Sequence, residues 1–206
     1  MTSSDRLRAD LDEHLVLADA AAELLPLAAD VADRLCRAFT AGGRVWTFGN
    51  GGSAADAQHL AAELIGRYRR SRRPLPAVSL ATDPSVMTCI ANDFGYDQVF
   101  ARQLEGLAVR GDVAIGFTTS GHSPSVVAGL AAARRAGATT VLFGGGDGRP
   151  ALGEADIALL VPSSTTARVQ ELHLFLLHAV SEIVDAWAAQ TDGGPDGGAD
   201  QGGPPA

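Results

Sequence analysis

The chain contains no lysine: all 16 of its basic residues are arginine. This excludes chemistry through a lysine Schiff base, pyridoxal-phosphate attachment and a Walker-type phosphate lysine. Any phosphate must therefore meet backbone N–H groups, hydroxyls or arginine. Cysteine is nearly as scarce. Cys36 and Cys89 stand far apart in apolar surroundings, which argues against a disulfide framework or a cysteine zinc site and makes a reducing cytoplasm the expected compartment. No apolar run reads as long enough to cross a bilayer, and the opening MTSSDRLRADLDEH lacks the apolar centre of a secretory signal. A basic surface is missing too, and a formal net charge of −8 argues against nucleic-acid binding. What remains is 206 residues, 46% hydrophobic and 19% charged, enough for one domain with a sizeable core.

Residues 5–25 read as an amphipathic helix with Leu7, Leu11, Leu15 and Leu17 among acids and arginines, and Pro26 opens a second helix ending before Gly42-Gly43. Short apolar runs follow at 44–48, 77–80, 112–117, 139–143 and 156–161, separated by helical stretches. One such stretch, 85–109, is expected to break around 92–95, and a long helix is expected over 165–189. Continuous apolar strands alternating with helices predict an α/β fold with a parallel sheet covered on both faces, its ligands at the carboxyl ends of the strands. Domain organisation is expected to be one domain over 1–190, followed by a glycine-, proline- and acid-rich tail, 191–206, with nothing to bury. The arginine-rich run 67–73 reads first as a solvated loop and second as an anion- or subunit-contacting arm.

Chemistry concentrates in GNGGSAADAQHLAAEL, residues 49–64. Gly49, Gly51 and Gly52 let a ligand approach the main chain, and Ser53 with Asp56 has capping-box-like spacing for a helix N-terminus, a natural phosphate seat. His59 and Glu63 fall on one face of that helix and suit metal binding or proton transfer, or else a plain exposed pair. A second loop offers Thr118, Thr119, Ser120 and Ser123 just before Pro124, again at a helix start. In the last helix, Gln170 and His178 lie about 12 Å apart in rise, with His173 as a competing candidate. His59, Glu63, Gln170 and His178 together form a mixed nitrogen–oxygen set suited to zinc.

Four separated segments, GNGGSAADAQHLAAELIGRY, IANDFG, TTSGHS and ARVQELHLFLLH, together resemble the phosphoheptose isomerases of the sugar isomerase (SIS) domain superfamily. The resemblance implies a three-layer sandwich with a five-stranded parallel sheet and N-terminal helices. It also implies a homotetramer and one Zn²⁺ per subunit at His59, Glu63, Gln170 and His178. The implied substrate is a phosphorylated seven-carbon sugar, and the reaction takes sedoheptulose 7-phosphate to D-glycero-D-manno-heptose 7-phosphate. Glu63 matches the general base and His178 the general acid. Substrate contacts match Asn50, Gly51, Gly52, Ser53, Asn92, Asp93, Thr118, Thr119, Ser120, Ser123 and Gln170. Ala167 stands where some members carry an aspartate. The alternatives are a non-catalytic SIS protein that binds the replication initiator, which lacks the glutamate and histidine present here, and a sugar-phosphate sensor.

Overall fold

The computed structural model describes residues 1–191; the predicted tail from 192 onward lies outside the described residues. Five strands, β1 (Val45–Gly49), β2 (Ala77–Ser79), β3 (Val113–Thr118), β4 (Thr139–Gly145) and β5 (Ile157–Val161), form one parallel sheet in the order β2-β1-β3-β4-β5. Helices α1 (Ser3–Ala20), α2 (Leu25–Thr40), α3 (Gly52–Ile65), α4 (Pro84–Phe94), α5 (Ala101–Leu107), α6 (Pro124–Ala136) and α7 (Thr166–Thr191) surround it.

The sheet divides the core in two. Val113, Ile115 and Phe117 of β3 face a cluster with α2, α3 and α7, whereas Ala114 faces Phe48, Phe100, Val126 and Leu130 on the other side. Period-two alternation thus buries both faces, and the predicted three-layer sandwich is the one observed. Differences from expectation are local. The long first helix is interrupted by a 3-10 turn, Ala21–Leu24, before Pro26 takes an early position in α2. The expected break at 92–95 does not occur within Asn92-Asp93: α4 continues to Phe94 and stops at Gly95, whose φ of 87° no side-chain-bearing residue adopts readily. Asp83 holds the other end, its carboxylate accepting the N–H groups of Ser85 and Val86.

By length and composition α7 could cross a membrane, which corrects the reading that no run is long enough. Here it is a core helix. Val169, Leu172, Leu176, Leu177, Val180 and Val184 pack into the cluster shared with α2 and α3, and its N-terminal part carries α1. Arg168 and His14 both reach the Glu171 carboxylate, at 2.5 and 2.7 Å.

His173 of α7 is fully buried beside Phe117 and Phe143, with ring centroids 5.9 and 5.8 Å away. Its Nε2–H donates to the Gly144 carbonyl at 3.1 Å, while Nδ1 has no partner. This is a core histidine, and the competing ligand reading falls away. Burial pushes its pKa from 6.5 down to about 4, only partly offset by the bond to Gly144. The folded state therefore refuses a proton that the unfolded chain accepts. Stability from the neutral ring is complete above 6.5 and is lost as pH falls toward 4. In thermal melts across that window, His173→Leu is expected to lose stability with acid less steeply than the parent chain.

Candidate active site

A parallel sheet of order 2-1-3-4-5 reverses its winding between β1 and β3, and the loops leaving those strands diverge to open a crevice. The two loops singled out in the sequence are the ones at this point. Pairing of Gly49 with Phe117 sets them level. Asn50 spans the gap: its Nδ2 donates to Ser125 Oγ of α6 at 2.9 Å, and its Oδ1 accepts the Tyr96 hydroxyl at 2.9 Å.

Gly51, not Ser53, occupies the N-cap of α3, with φ 58° and ψ −124°. That backbone turn needs glycine, which displaces the expected serine cap into the helix. Ser53 is buried there, and its N–H donates to the Asn50 carbonyl at 3.0 Å. Asp56 makes no capping box. Its Oδ2 is buried without a partner, and burial raises its pKa to about 6 against the pull of His59. Gly52 leaves room for Gln170: a Cβ there would collide with that side-chain amide.

In the second loop Ser123 is the N-cap of α6 as expected, but its hydroxyl makes no cap bond. It meets Thr118 Oγ1 at 3.1 Å. Thr119 is half-buried beside them, and Ser120 Oγ accepts the His122 N–H at 3.2 Å. Gly121, at φ 73°, could not carry a Cβ without striking the backbone of Gly148. Asn92 and Asp93 are exposed near the end of α4 and bond to each other at 2.7 Å. The structure gives them no bond to Asn50; Tyr96 makes that link instead.

On the sheet face shared by α3 and α7, three ligand atoms of His59, Glu63 and His178 lie within 4.8 Å of one another. His59 Nε2 is 2.9 Å from Glu63 Oε1 and 3.3 Å from His178 Nε2. Two imidazole nitrogens on one tetrahedral ion with bonds of ~2.0 Å would be separated by roughly that distance. Two imidazoles and a carboxylate with an open side also match the donor set of catalytic zinc sites. The residues therefore fit a metal ion. Gln170 starts two turns further back on α7, with its amide against Gly52. Burial first, then the neighbouring His59 and Arg69, lower the His178 pKa, while Glu63 opposes them. Low proton affinity favours the neutral imidazole a metal requires.

Sequence reading missed what supports these groups. Tyr68 stacks on His178, centroids 5.5 Å apart, and carries the Arg69 guanidinium on its ring at 5.0 Å. Asp185, one turn pair beyond His178, is buried and accepts the N–H groups of Tyr68, Arg69 and Arg70 at 3.3, 3.1 and 2.8 Å. Burial would raise its carboxyl, but those N–H groups and Arg72 outweigh it and hold the pKa below the usual range. Arg72 meets Asp185 at 3.1 Å and donates to the carbonyls of Glu63, Leu64 and Gly66. The run 67–73 is thus no solvated loop at Arg72, whose side chain is 1% exposed. Charge composition alone could not reveal this, because its partner lies over a hundred residues away.

A family model described as "SIS domain" matches residues 16–145. Phosphoheptose isomerase of Paramagnetospirillum magneticum is 55% identical over 149 residues, covering 72% of this chain and 78% of its own. That of Roseiflexus sp. is 50% identical over 160 residues, covering 78% and 81%. The chain belongs to the phosphoheptose isomerase family. The solved phosphoheptose isomerase from Neisseria gonorrhoeae shares the fold at a TM-score of 0.85 and 36% identity, covering 90% of this chain and 100% of that one. As in the sequence reading, this phosphoheptose isomerase family member is a sugar isomerase domain enzyme rather than a non-catalytic relative.

Gly52→Ala separates stability from site geometry. The added methyl meets only the end of a flexible side chain, so Gln170 moves while the fold remains. Melting temperature is expected to change by only a few degrees, because alanine is a good helix former. Turnover is expected to fall at least tenfold, measured by steady-state kinetics on the family's ketose phosphate.

Proposed function

We propose that the chain interconverts D-sedoheptulose 7-phosphate and D-glycero-D-manno-heptose 7-phosphate, the first step of heptose nucleotide synthesis. The observation that carries this reading is the convergence of His59 and Glu63, on the helix that begins at the glycine loop, with His178 of α7. The phosphate is assigned to the crevice between the two loops, where Thr118, Thr119, Ser120 and Ser123 offer neutral hydroxyls and the start of α6 offers its positive dipole end. Asn50, Gly51, Gly52, Ser53 and Gln170 are assigned to the sugar, with Asn92 and Asp93 at the rim. With no lysine in the chain, this cradle uses hydroxyls and backbone N–H groups in place of an ammonium group.

Glu63 is assigned the carbon-bound proton. Its carboxylate removes it from C1, the electron pair forms a C1–C2 double bond, and His178 delivers a proton to the C2 oxygen. His178 then takes the proton from the C1 oxygen as the aldehyde forms, and Glu63 returns its proton to C2. Holding both groups beside the reacting carbons lowers the barrier by positioned acid–base transfer. His59, Glu63, Gln170 and His178 are the proposed holders of one Zn²⁺ per subunit. When bound, the ion would polarise the sugar oxygens. Glu63 keeps a second carboxylate oxygen and His178 a second ring nitrogen for protons.

A homotetramer in the cytoplasm completes the proposal. Exposed Leu7, Leu11 and Leu15 on α1, at 70%, 48% and 54%, support assembly through the N-terminal helix.

Incubation with sedoheptulose 7-phosphate in deuterated water, followed by NMR, is expected to give the aldose with solvent deuterium in the sugar. Glu63→Gln and His178→Gln are each expected to lower the rate about 10²–10⁴-fold. Near-normal turnover in both variants would remove their assigned roles. Elemental analysis is expected to find zinc near one per subunit, and activity is expected to fall on chelation and return with zinc.

A further inference from the structure

Tyr96 belongs to none of the motifs that define the site, yet its hydroxyl is bound to Asn50, 46 positions earlier in the chain. It opens the 3-10 turn Tyr96–Gln98 immediately after Gly95 ends α4. Asn50 is thereby gripped from two elements that do not otherwise meet at that residue: Tyr96 after α4, and Ser125 in the first turn of α6. Ser125 is itself buried, at 1% exposure, so its side of the bridge is fixed by the core.

The chemistry of the two hydroxyls orients the amide. A phenol is a better donor and a poorer acceptor than an aliphatic alcohol, so the Asn50 carbonyl turns to Tyr96 and the amide N–H to Ser125. One N–H of Asn50 and one lone pair of its carbonyl are left for other partners. An asparagine on a glycine loop would otherwise rotate freely, because Gly51 and Gly52 beside it offer no side chain to pack against.

We propose that Tyr96 is a positioning residue that holds the Asn50 amide, through its carbonyl, across the crevice for contact with the sugar phosphate. Tyr96 acts through Asn50 and does not itself touch the substrate. The inference rests on the assignment of Asn50 to the substrate in the proposed function, and it adds the group that sets the geometry of that contact.

The test is a double-mutant cycle in the full-length chain with Tyr96→Phe, Asn50→Ala and the pair. Tyr96→Phe keeps the ring and removes only the oxygen. It is expected to raise KM for sedoheptulose 7-phosphate about fivefold, the worth of one neutral hydrogen bond, with kcat nearly unchanged. The pair is expected to match Asn50→Ala alone, because the hydroxyl then has nothing to orient. A KM unchanged in Tyr96→Phe overturns the proposal, and so does an additive double variant, which would mean that Tyr96 contacts the sugar directly. Calorimetric titration of the same four proteins with the sugar phosphate reads the coupling without turnover. Binding that shows the coupling in a chain that never turns over would overturn the isomerase reading and leave the role of Tyr96 standing.

Discussion

The site depends on two helices being held side by side, and what fixes the end of α3 against α7, beyond their shared apolar cluster, is the buried pair of Arg72 and Asp185. Both side chains are 1% exposed, so neither charge has water to fall back on. A buried carboxylate is tolerable only when its lone pairs are filled, and Asp185 fills them with three backbone N–H groups and a guanidinium. Arg72 in turn spends its remaining N–H groups on the carbonyls that end α3, including that of Glu63. A single knot therefore terminates α3, threads the following segment past α7 and sets Tyr68 on the ring of His178. Loss of either partner would leave the other charge buried and unpaired, at a cost of about 3–5 kcal/mol.

The second constraint is topological. Strand order 2-1-3-4-5 obliges the loops after β1 and β3 to part, and the parting exposes two helix N-termini side by side. Asn50 closes part of the gap by bonding to Ser125, so the crevice has a defined width at its base. One element then links the crevice to the His59–Glu63 pair. Helix α3 begins at Gly52 in the crevice and carries His59 and Glu63 two and three turns along. Glycine is required at the cap, where Gly51 has positive φ, and at Gly52 the lack of a side chain leaves the place that the Gln170 amide takes.

Chemistry of this kind places unusual demands on polar groups near the core. His173 is sealed among phenylalanines with one nitrogen unpartnered, and Asp56 keeps a buried oxygen without a bond. The two are pushed in opposite senses by the same cause. Burial disfavours the charged form of each, lowering the imidazole toward about 4 and raising the carboxyl to about 6. Neither belongs to the His59, Glu63 and His178 cluster.

Local patterns in the sequence determined the layers, the strands and the helix that ends at Gly137, because apolar periodicity and glycine or proline stops act over a few residues. They also determined which loops bear hydroxyls and glycines, and that His59 and Glu63 share a face, since four residues make about one helical turn. Only the tertiary structure decided the rest. That Ser53 lies inside the helix rather than capping it follows from the turn at Gly51. That Arg72 is buried follows from a carboxylate 113 residues away in sequence. That His178 joins His59 while His173 goes to the core depends on which side of α7 meets α3 and which meets the strands. No local window contains that information, because both histidines lie on the same apolar helix and differ only in what the fold brings against them.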